Sequence, residues 1–232
     1  MHWFHRTKSP RRGLGLLHTA EGLALAQTQG PGASPMPQWH WQPHLTTGAG
    51  LPQACPDPAA LRLARQRSGF QAQATAMVVP DSLLHRFSLQ LEPGMTAKQT
   101  HAQIQSQLQT LLPWPLAQAV WDYHLSMELG SPPASAVAGP AWLLAALQAQ
   151  ALQTWEVLAA PRAWVTSAEH SCRAAGLALV RIEPPWQAAK RWQDWHSQAA
   201  ASQGLAKPLS SIPLTPEQQA VLGGLALGVV TP

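Results

Sequence analysis

The sequence predicts a mixed α/β (α+β) chain, and three observations lead to this prediction. Apolar segments that alternate as strands do are interleaved with segments that have the apolar spacing and the caps of helices. Hydrophobic residues make up 46% of the 232 residues, which is enough to bury a core. Pro and Gly number 22 and 16, and they separate the regular segments from one another.

The first elements are a hairpin, an edge strand and a helix. Gly13–Gln29 has two apolar arms around a turn at Thr19–Gly22, which is typical of a hairpin. Gln38–Gln42 alternates as a strand does, and the Pro after it restricts that strand to an edge. Asp57 followed by Pro58 is a helix N-cap with Pro at the first position, so a helix is predicted to about Arg67.

The best-patterned block follows. Strands are predicted over Ala72–Val79 and Leu83–Leu91. Thr96 and Gln99 have the spacing of a capping box and predict the start of an amphipathic helix. Alternation then predicts a strand over Ala119–Met127.

The C-terminal part is predicted to be mostly helical. The apolar run Trp142–Leu147 indicates a buried strand, and a helix is predicted over Gln150–Ala175, disturbed by Pro161. A strand over Leu177–Ile182 comes next. Two further helices are predicted to start at Pro184-Pro185 and at Thr215-Pro216, the last with a small, apolar end suited to close packing.

Composition argues against several classes of protein. Charged residues are only 11% and the net charge of +4 is not concentrated in blocks, which gives weak support to nucleic-acid binding. Cys55 and Cys172 form no CxxC pattern, so a reduced compartment with both thiols as apolar fillers is expected. The apolar runs 134–147 and 220–230 are shorter than the roughly 20 residues of a membrane span. Residues 1–8 lack the apolar region of a signal peptide.

Residues 1–12 combine aromatic and basic side chains and have two interpretations. One is a frayed, solvated terminus. The other is a weak peripheral contact with an anionic membrane, with Trp3 and Phe4 at the interface.

No catalytic, metal-binding or cofactor-binding residues are expected from motifs. His40 and His44 have helical spacing, but Pro43 lies between them and no carboxylate is near. A nucleophile elbow and a Walker motif are both missing, and Gly13-Leu14-Gly15 stands alone. Trp192 and Trp195 could stack bases, although their spacing with alanines favours a packing face.

Three short motifs occur in a specific order: Pro80-Asp81-Ser82, then Pro113-Trp114-Pro115-Leu116, then Asp122-Tyr123. Together with the elements between them, they resemble the inserted subdomain of PilM-like proteins, an actin-like family of type IV pilus assembly. The resemblance implies a partial actin-like (RNase H-like) fold with an inserted β-α-β-type subdomain. It implies a first-lobe segment over 1–70, a PilM/SHS2-like subdomain over 72–183, and a Trp-rich helix, linker and closing helix over 184–232.

The sequence departs from the family at the nucleotide site. The family's first phosphate loop carries Gly-x-Asp-x-Gly-Ser, whereas the matching stretch Gly13–His18 has neither Asp nor Ser. After Pro184 the family's second lobe is expected to bring another phosphate strand, whereas this sequence predicts a Trp-rich helix, a linker and a closing helix. We therefore expect no cofactor and no enzymatic activity.

By resemblance, the expected function is that of a cytoplasmic adaptor or scaffold, peripheral to the inner membrane, in a type IV pilus or related type II secretion system. The expected partner is the cytoplasmic tail of a PilN-like membrane protein. The candidate partner-binding residues are Pro80, Asp81, Ser82, Pro113, Trp114, Pro115 and Leu116. The alternatives are a nucleotide-binding actin-like ATPase and a basic nucleic-acid-binding module.

Overall fold

A computed structural model of the chain describes residues 12–29, 37–43, 55–126, 152–203 and 213–230. These residues form a five-stranded and a three-stranded sheet, in two compact units. The smaller unit spans His85–Arg162, and the larger unit combines the chain before it with Ala163 and the residues after it. The predicted mixed α/β fold class is confirmed.

The larger unit is built on a mixed sheet with the strand order β3-β2-β1-β4-β8. Antiparallel pairing joins the first three strands in the chain, whereas β4 and β8 run parallel to β1. The strands are β1 Arg12–His18, β2 Gly22–Gln29, β3 Gln38–Pro43, β4 Ala74–Val78 and β8 Ala178–Glu183. The predicted hairpin and the predicted edge strand are confirmed.

The helices of the larger unit begin and end where the sequence contains capping residues. Helix α1 is Pro58–Ser68, where the Asp57 carboxylate accepts a hydrogen bond from Ala60 N–H and Gly69 ends the helix at φ 68°. The other helices are α3 Arg162–Ala174, whose first residue still belongs to the smaller unit, α4 Pro185–Gln203 and α5 Pro216–Val230. None of the helices in the described residues is long and apolar enough to cross a membrane.

Helices cover both faces of this sheet. Trp39 and Trp41 of β3 pack into the same apolar cluster as α5. Gln42 of the same strand accepts a hydrogen bond from Arg67 of α1 at 3.0 Å. Because neighbouring side chains of a strand point to opposite faces, α5 and α1 lie on opposite sides of the sheet. On the side of α1, Cys172 of α3 lies 3.5 Å from the Met77 sulfur.

The smaller unit is one helix on an antiparallel sheet of three strands, in the order β5-β7-β6. Its elements are β5 His85–Leu91, α2 Ala97–Leu111, β6 Ala119–Leu125 and β7 Gln153–Pro161. The predicted capping box of α2 is present, with Thr96 and Gln99 bonding to each other's backbone N–H. Ile104 and Leu108 of α2 are fully buried against the sheet.

One predicted element is wrong. The helix predicted over Gln150–Ala175 is two elements, strand β7 up to Pro161 and helix α3 from Arg162. β7 pairs on both edges, with β5 and with β6, so two ladders of hydrogen bonds outweigh the helix-favouring alanines near its end. Pro161 marks the transition between strand and helix. The strand predicted over Trp142–Leu147 lies outside the described residues.

The domain boundaries also differ from the expected ones. Strands β4 and β8 and nearly all of α3 belong to the larger unit, so the inserted subdomain is 85–162 and not 72–183. The reason is the pairing of β4 with β1 and β8, which places residues 74–78 in the centre of the larger sheet. Residues 184–232 are not separate either, because α4 and α5 pack with this sheet.

Candidate functional site

The glycines that match the family's phosphate loop lie on β1 directly beneath helix α5. A Cβ built on Gly13 would lie 2.6 Å from the Ala226 carbonyl oxygen. A Cβ built on Gly15 would lie 2.6 Å from the Leu222 carbonyl oxygen and 2.7 Å from the Ala226 nitrogen. Both glycines therefore serve the close approach of a helix to a strand, and the space over them is filled by protein backbone.

Helix α5 is suited to this position because it is apolar on every side. Residues 221–229 are all buried, with β1, β2 and β4 among their neighbours and α4 packed against them. The glycines at 223 and 224 admit α4, since a Cβ on Gly223 would meet the Trp192 ring and one on Gly224 would meet the Ala188 backbone. Thr28 of β2 donates a hydrogen bond to the Ala226 carbonyl oxygen at 3.0 Å.

The turn between β1 and β2 satisfies its own donors. The Thr19 hydroxyl accepts hydrogen bonds from the backbone N–H groups of Glu21 and Gly22, each at 3.2 Å. These are the donors that a phosphate in this turn would need. Glu21, which is exposed, also adds a negative charge to the turn.

A buried ion-pair network joins β8 to the two C-terminal helices. The Glu183 side chain is only 4% exposed, and both its oxygens accept hydrogen bonds from Arg191 of α4 at 2.7 Å. Arg191 also donates to the Gly224 carbonyl oxygen of α5 at 2.8 Å. Burial, with a smaller effect from the charge of Arg191, lowers the pKa of the nearby Arg181, while Glu183 opposes that shift. The network holds α4 and α5 in one register on the sheet.

The candidate partner-binding residues lie at two corners, one in each unit. Asp81 and Ser82 are exposed in a short 3₁₀ turn after Pro80 in the larger unit. In the smaller unit, Pro113 and Pro115 are exposed, whereas Trp114 and Leu116 are half-buried against its core. Each corner is thus a turn with a structural role.

Trp114 has a specific environment in the smaller unit. Its ring meets that of His85 edge-to-face, with centroids 4.6 Å apart. Its indole N–H is buried and finds no acceptor among the residues that the structure describes. Trp114 therefore contributes to the core of this unit.

An aromatic strip, which we define as His101, Trp121, Tyr123 and Trp155, lies beside α2 on the helix-bearing face of the small sheet. The His101 and Trp121 rings stack with centroids 4.7 Å apart. Trp121 and Tyr123 are 5.9 Å apart, and Tyr123 and Trp155 are 5.6 Å apart. His101 is exposed and the other three are half-buried, so the strip is partly open to solvent. Leu125, which is 39% exposed and pairs with Trp155, extends the apolar surface.

The strip runs along a strand whose outer edge pairs with no strand in the described residues. Ser126 N–H donates to the Thr154 carbonyl oxygen at 2.8 Å. Since bonded and non-bonded pairs alternate in an antiparallel ladder, Asp122 and His124 bond to β7. Trp121, Tyr123 and Leu125 consequently direct their backbone groups to the outer edge.

Two side chains cap parts of this edge. The Asp122 carboxylate accepts a hydrogen bond from Tyr123 N–H at 2.8 Å. Arg162 donates to the carbonyl oxygens of Ala117 and Ala119 at 3.0 and 2.9 Å. Such caps are a known means of protecting an edge strand from indiscriminate pairing.

The opposite face of the small sheet is charged. Glu156 lies between Arg86 and His124, with its oxygens 2.6 Å from Arg86 Nε and 3.5 Å from His124 Nε2. Asp122 shares this face with them, because its position alternates with those of Trp121 and Tyr123. The half of this face nearest β6 thus carries two carboxylates.

The arginines of α1 have structural partners. Arg62 and Arg65 donate to the carbonyl oxygens of Ala174 and Gly176 at 2.8 and 3.1 Å, which closes the end of α3. Metal-binding clusters of three or more His, Cys, Asp or Glu do not occur in the described part of the chain. Arg67 donates in the same way to the Gln42 side-chain oxygen, so these three arginines are engaged within the fold.

The fold of these units is similar to that of two solved structures. The chain is similar to one in a structure described as the PilM–PilN type IV pilus biogenesis complex, with a TM-score of 0.59 and 18% identity. It is also similar to the cytoplasmic domain of EpsL, an inner-membrane component of the Vibrio cholerae type II secretion system, with a TM-score of 0.51 and 12% identity. The expected likeness in fold to PilM-like proteins is confirmed.

The two likenesses differ in extent. The match with the PilM–PilN structure covers 83% of this chain but only 52% of the other, so this chain spans about half the length of that relative. The match with the EpsL domain covers 95% of this chain and 98% of the other. No family model matches the sequence, and the comparison with curated proteins finds no relative.

Sequence reasoning did not find the aromatic strip. The sequence predicts one strand that contains Trp121 and Tyr123, but it places Trp155 in the helix predicted over Gln150–Ala175. The side chains of β6 and Trp155 come together because β6 pairs with β7. The two strands are far apart in the sequence, so no local pattern predicts this pairing. The alternation of polar and apolar residues over 154–157 is the signal in the sequence that indicates a strand here.

Proposed function

We propose that this protein is a non-enzymatic adaptor in the assembly of a type IV pilus or a related type II secretion system. It acts on the cytoplasmic side of the inner membrane and binds the cytoplasmic tail of a PilN-like membrane protein. The likeness in fold to the PilM–PilN structure and to the EpsL domain supports this role. At 12–18% identity the likeness is one of fold. The role, the partner and the location of this protein are what we propose.

One observation carries the non-enzymatic part. The backbone of α5 fills the space over Gly13 and Gly15, where a Cβ would already be 2.6 Å from a carbonyl oxygen. The hydroxyl of Thr19 occupies the donors of the adjacent turn. A phosphate group therefore finds neither space nor free donors at the stretch that matches the family's first phosphate loop.

Mg-ATP tests this part directly. A ligand at 100 times its dissociation constant stabilises a protein by about 2.7 kcal/mol, which is a shift of several degrees for a chain of this size. We expect no shift in melting temperature with millimolar Mg-ATP and no release of phosphate. A reproducible shift of several degrees would refute the proposal and favour the actin-like ATPase.

The partner is tested by co-expression of the full chain with a PilN-like membrane protein from the same organism. We expect the two to co-purify, and we expect removal of the cytoplasmic tail of the PilN-like protein to abolish this. Co-purification that does not depend on the tail would contradict the proposed mode of binding. The corners Pro80–Ser82 and Pro113–Leu116 stay a prediction for the binding site, with Trp114 as the apolar anchor.

A further inference from the structure

We infer that Arg181, in the ion-pair network of β8, α4 and α5, binds the carboxylate group of a ligand. This site lies within the larger unit and does not depend on the proposed function. The network contains two arginines, Arg181 and Arg191. Among the described residues, Glu183 is the only carboxylate within 4.0 Å of either arginine. Two positive charges and one negative charge leave the network with a net charge of +1.

Glu183 uses both its oxygens for Arg191. Its Oε1 and Oε2 accept hydrogen bonds from Nη1 and Nη2 of Arg191, each at 2.7 Å, which is the bidentate geometry of a strong ion pair. Arg181 Nη1 comes only within 4.0 Å of Glu183 Oε2, which is too far for a hydrogen bond. A guanidinium has five N–H donors, and those of Arg181 have no acceptor in the described part of the chain.

A β-bulge turns Arg181 towards this network. Thr75 of β4 pairs with Leu179 of β8. The next residue of β4, Ala76, pairs with Arg181, so β8 has one extra residue at this point. In regular pairing Arg181 would lie opposite Met77 and point to the other face of the sheet. Bulges re-aim side chains in this way and are frequent beside functional sites.

A glycine of α5 allows the two guanidinium groups to lie together. A Cβ built on Gly228 would lie 3.1 Å from Arg181 Nη1 and would collide with the guanidinium of Arg191. Any side chain at this position would therefore displace both groups. The side chains of Arg181 and Arg191 are 21% and 25% exposed, so solvent reaches them although most of their surface is covered. The site accordingly admits a small group.

Charge and shape favour a carboxylate over a phosphate. Burial is the main cause of the lowered pKa of Arg181, so the surroundings compensate its charge incompletely. One negative charge neutralises the network, whereas a phosphate dianion would place excess negative charge beside Glu183. The two oxygens of a carboxylate also match the fork of a guanidinium, as the pairing of Glu183 with Arg191 illustrates. The expected ligand thus differs from the phosphate of a nucleotide.

The experiment compares the melting temperature of the full chain in about 100 mM sodium acetate and in sodium chloride of equal ionic strength. For a dissociation constant of about 10 mM, the wild type should melt about 3–6 °C higher in acetate. Arg181→Gln should remove this difference. In chloride, Arg181→Gln should melt no lower than the wild type, because it removes a largely buried charge that has no hydrogen-bond acceptor.

Controls separate binding at Arg181 from general effects of salt. Arg173→Gln changes an exposed arginine of α3 in the same way and should respond to acetate as the wild type does. Arg181→Lys keeps the charge but loses the fork, so it should show less than about half of the wild-type shift. The difference between the wild type and Arg181→Gln cancels the general stabilisation by salts, and this difference should be smaller in phosphate than in acetate.

A peptide identifies the source of the carboxylate. A short peptide with blocked termini and one central Glu is compared with its Gln counterpart at the concentration used for acetate. A shift with the Glu peptide that requires Arg181 supports a carboxylate on a protein partner. A shift with acetate alone supports the carboxylate of a small molecule.

Three results would overturn the inference. Equal acetate shifts in the wild type and Arg181→Gln would show that Arg181 is not the site. A larger Arg181-dependent shift with phosphate would refute the choice of a carboxylate. If Arg181→Gln does not fold, Arg181→Lys decides the question, because a shift equal to that of the wild type would refute a site built on the guanidinium fork.

Discussion

Replacing Gly15 by Ala tests the contact between strand β1 and helix α5, on which the non-enzymatic account depends. The new methyl group would lie 2.6, 2.7 and 2.9 Å from the Leu222 carbonyl oxygen, the Ala226 nitrogen and Leu225 Cβ. An ordinary carbon contact requires about 3.5–4.0 Å, so the helix must move by roughly 1 Å from the strand. Two of the three atoms are backbone, which cannot rotate away as a flexible side chain could.

The expected cost is that of overpacking a closed core, about 1–3 kcal/mol. A strand glycine replaced by Ala without a clash would gain about 0.5–1 kcal/mol, so the steric cost must exceed this gain. For a chain of this size, a net loss of about 2 kcal/mol lowers the melting temperature by about 4–8 °C. Urea unfolding monitored by circular dichroism measures the free energy, with an unchanged slope if the unfolded state is unaffected.

Gly94→Ala is the control. Gly94 lies in the turn before α2 at φ 79°, and nothing lies within 4 Å of a Cβ built there. Its substitution costs only the strain of a left-handed conformation, about 1–2 kcal/mol, and should disturb the smaller unit alone. Stability of Gly15→Ala within about 0.5 kcal/mol of the wild type would refute the packing of α5 on β1.

Three further predictions concern buried polar groups. Glu183→Gln leaves Arg191 without its carboxylate partner. We expect the free energy of unfolding, measured with urea, to fall by about 3 kcal/mol, and a fall below about 1 kcal/mol would contradict the ion-pair network. Burial raises the pKa of the Cys55 thiol to about 11 and that of the Cys172 thiol to about 12. At pH 8 both thiols should therefore react with Ellman's reagent at least about a hundredfold more slowly than free cysteine does. Fast labelling of the native protein would contradict the placement of these thiols. Burial, and then the charge of Arg67, lowers the pKa of His40 below its usual value. As the pH falls, the unfolded chain therefore protonates at His40 before the folded chain does, so the free energy of unfolding should fall below about pH 6.5. Urea unfolding at several pH values should show a smaller fall for His40→Gln than for the wild type.

Elements set by local chemistry could be predicted from the sequence. Asp57 and Pro58 begin α1, and Thr96 with Gln99 begins α2, because a cap needs only a residue and its neighbours three positions on. The hairpin Gly13–Gln29 was likewise predicted from alternation and its turn. These features do not depend on the rest of the fold.

Elements set by distant pairing could not be predicted in the same way. Strand β7 has alanines that favour a helix and a Pro that disturbs one, and only its two partners decide that it is a strand. The reason for Gly13 and Gly15 is also distant, since it is the backbone of α5 some 200 residues later. From the sequence, these glycines were interpreted as the remnant of a phosphate loop without its polar residues. The structure shows that the backbone of α5 fills the space over them.

The central claim is that the chain binds a membrane partner's tail without a nucleotide. The most direct test is to titrate the full chain with the tail peptide of a PilN-like protein from the same organism, with and without saturating Mg-ATP. The account predicts measurable binding whose dissociation constant is the same in both titrations, because α5 occupies the stretch that would hold phosphate. By thermodynamic linkage, a nucleotide that binds the peptide-bound chain better or worse than the free chain must change the affinity of the chain for the peptide by the same factor. Absence of binding, or an affinity that ATP changes several-fold, would contradict the account.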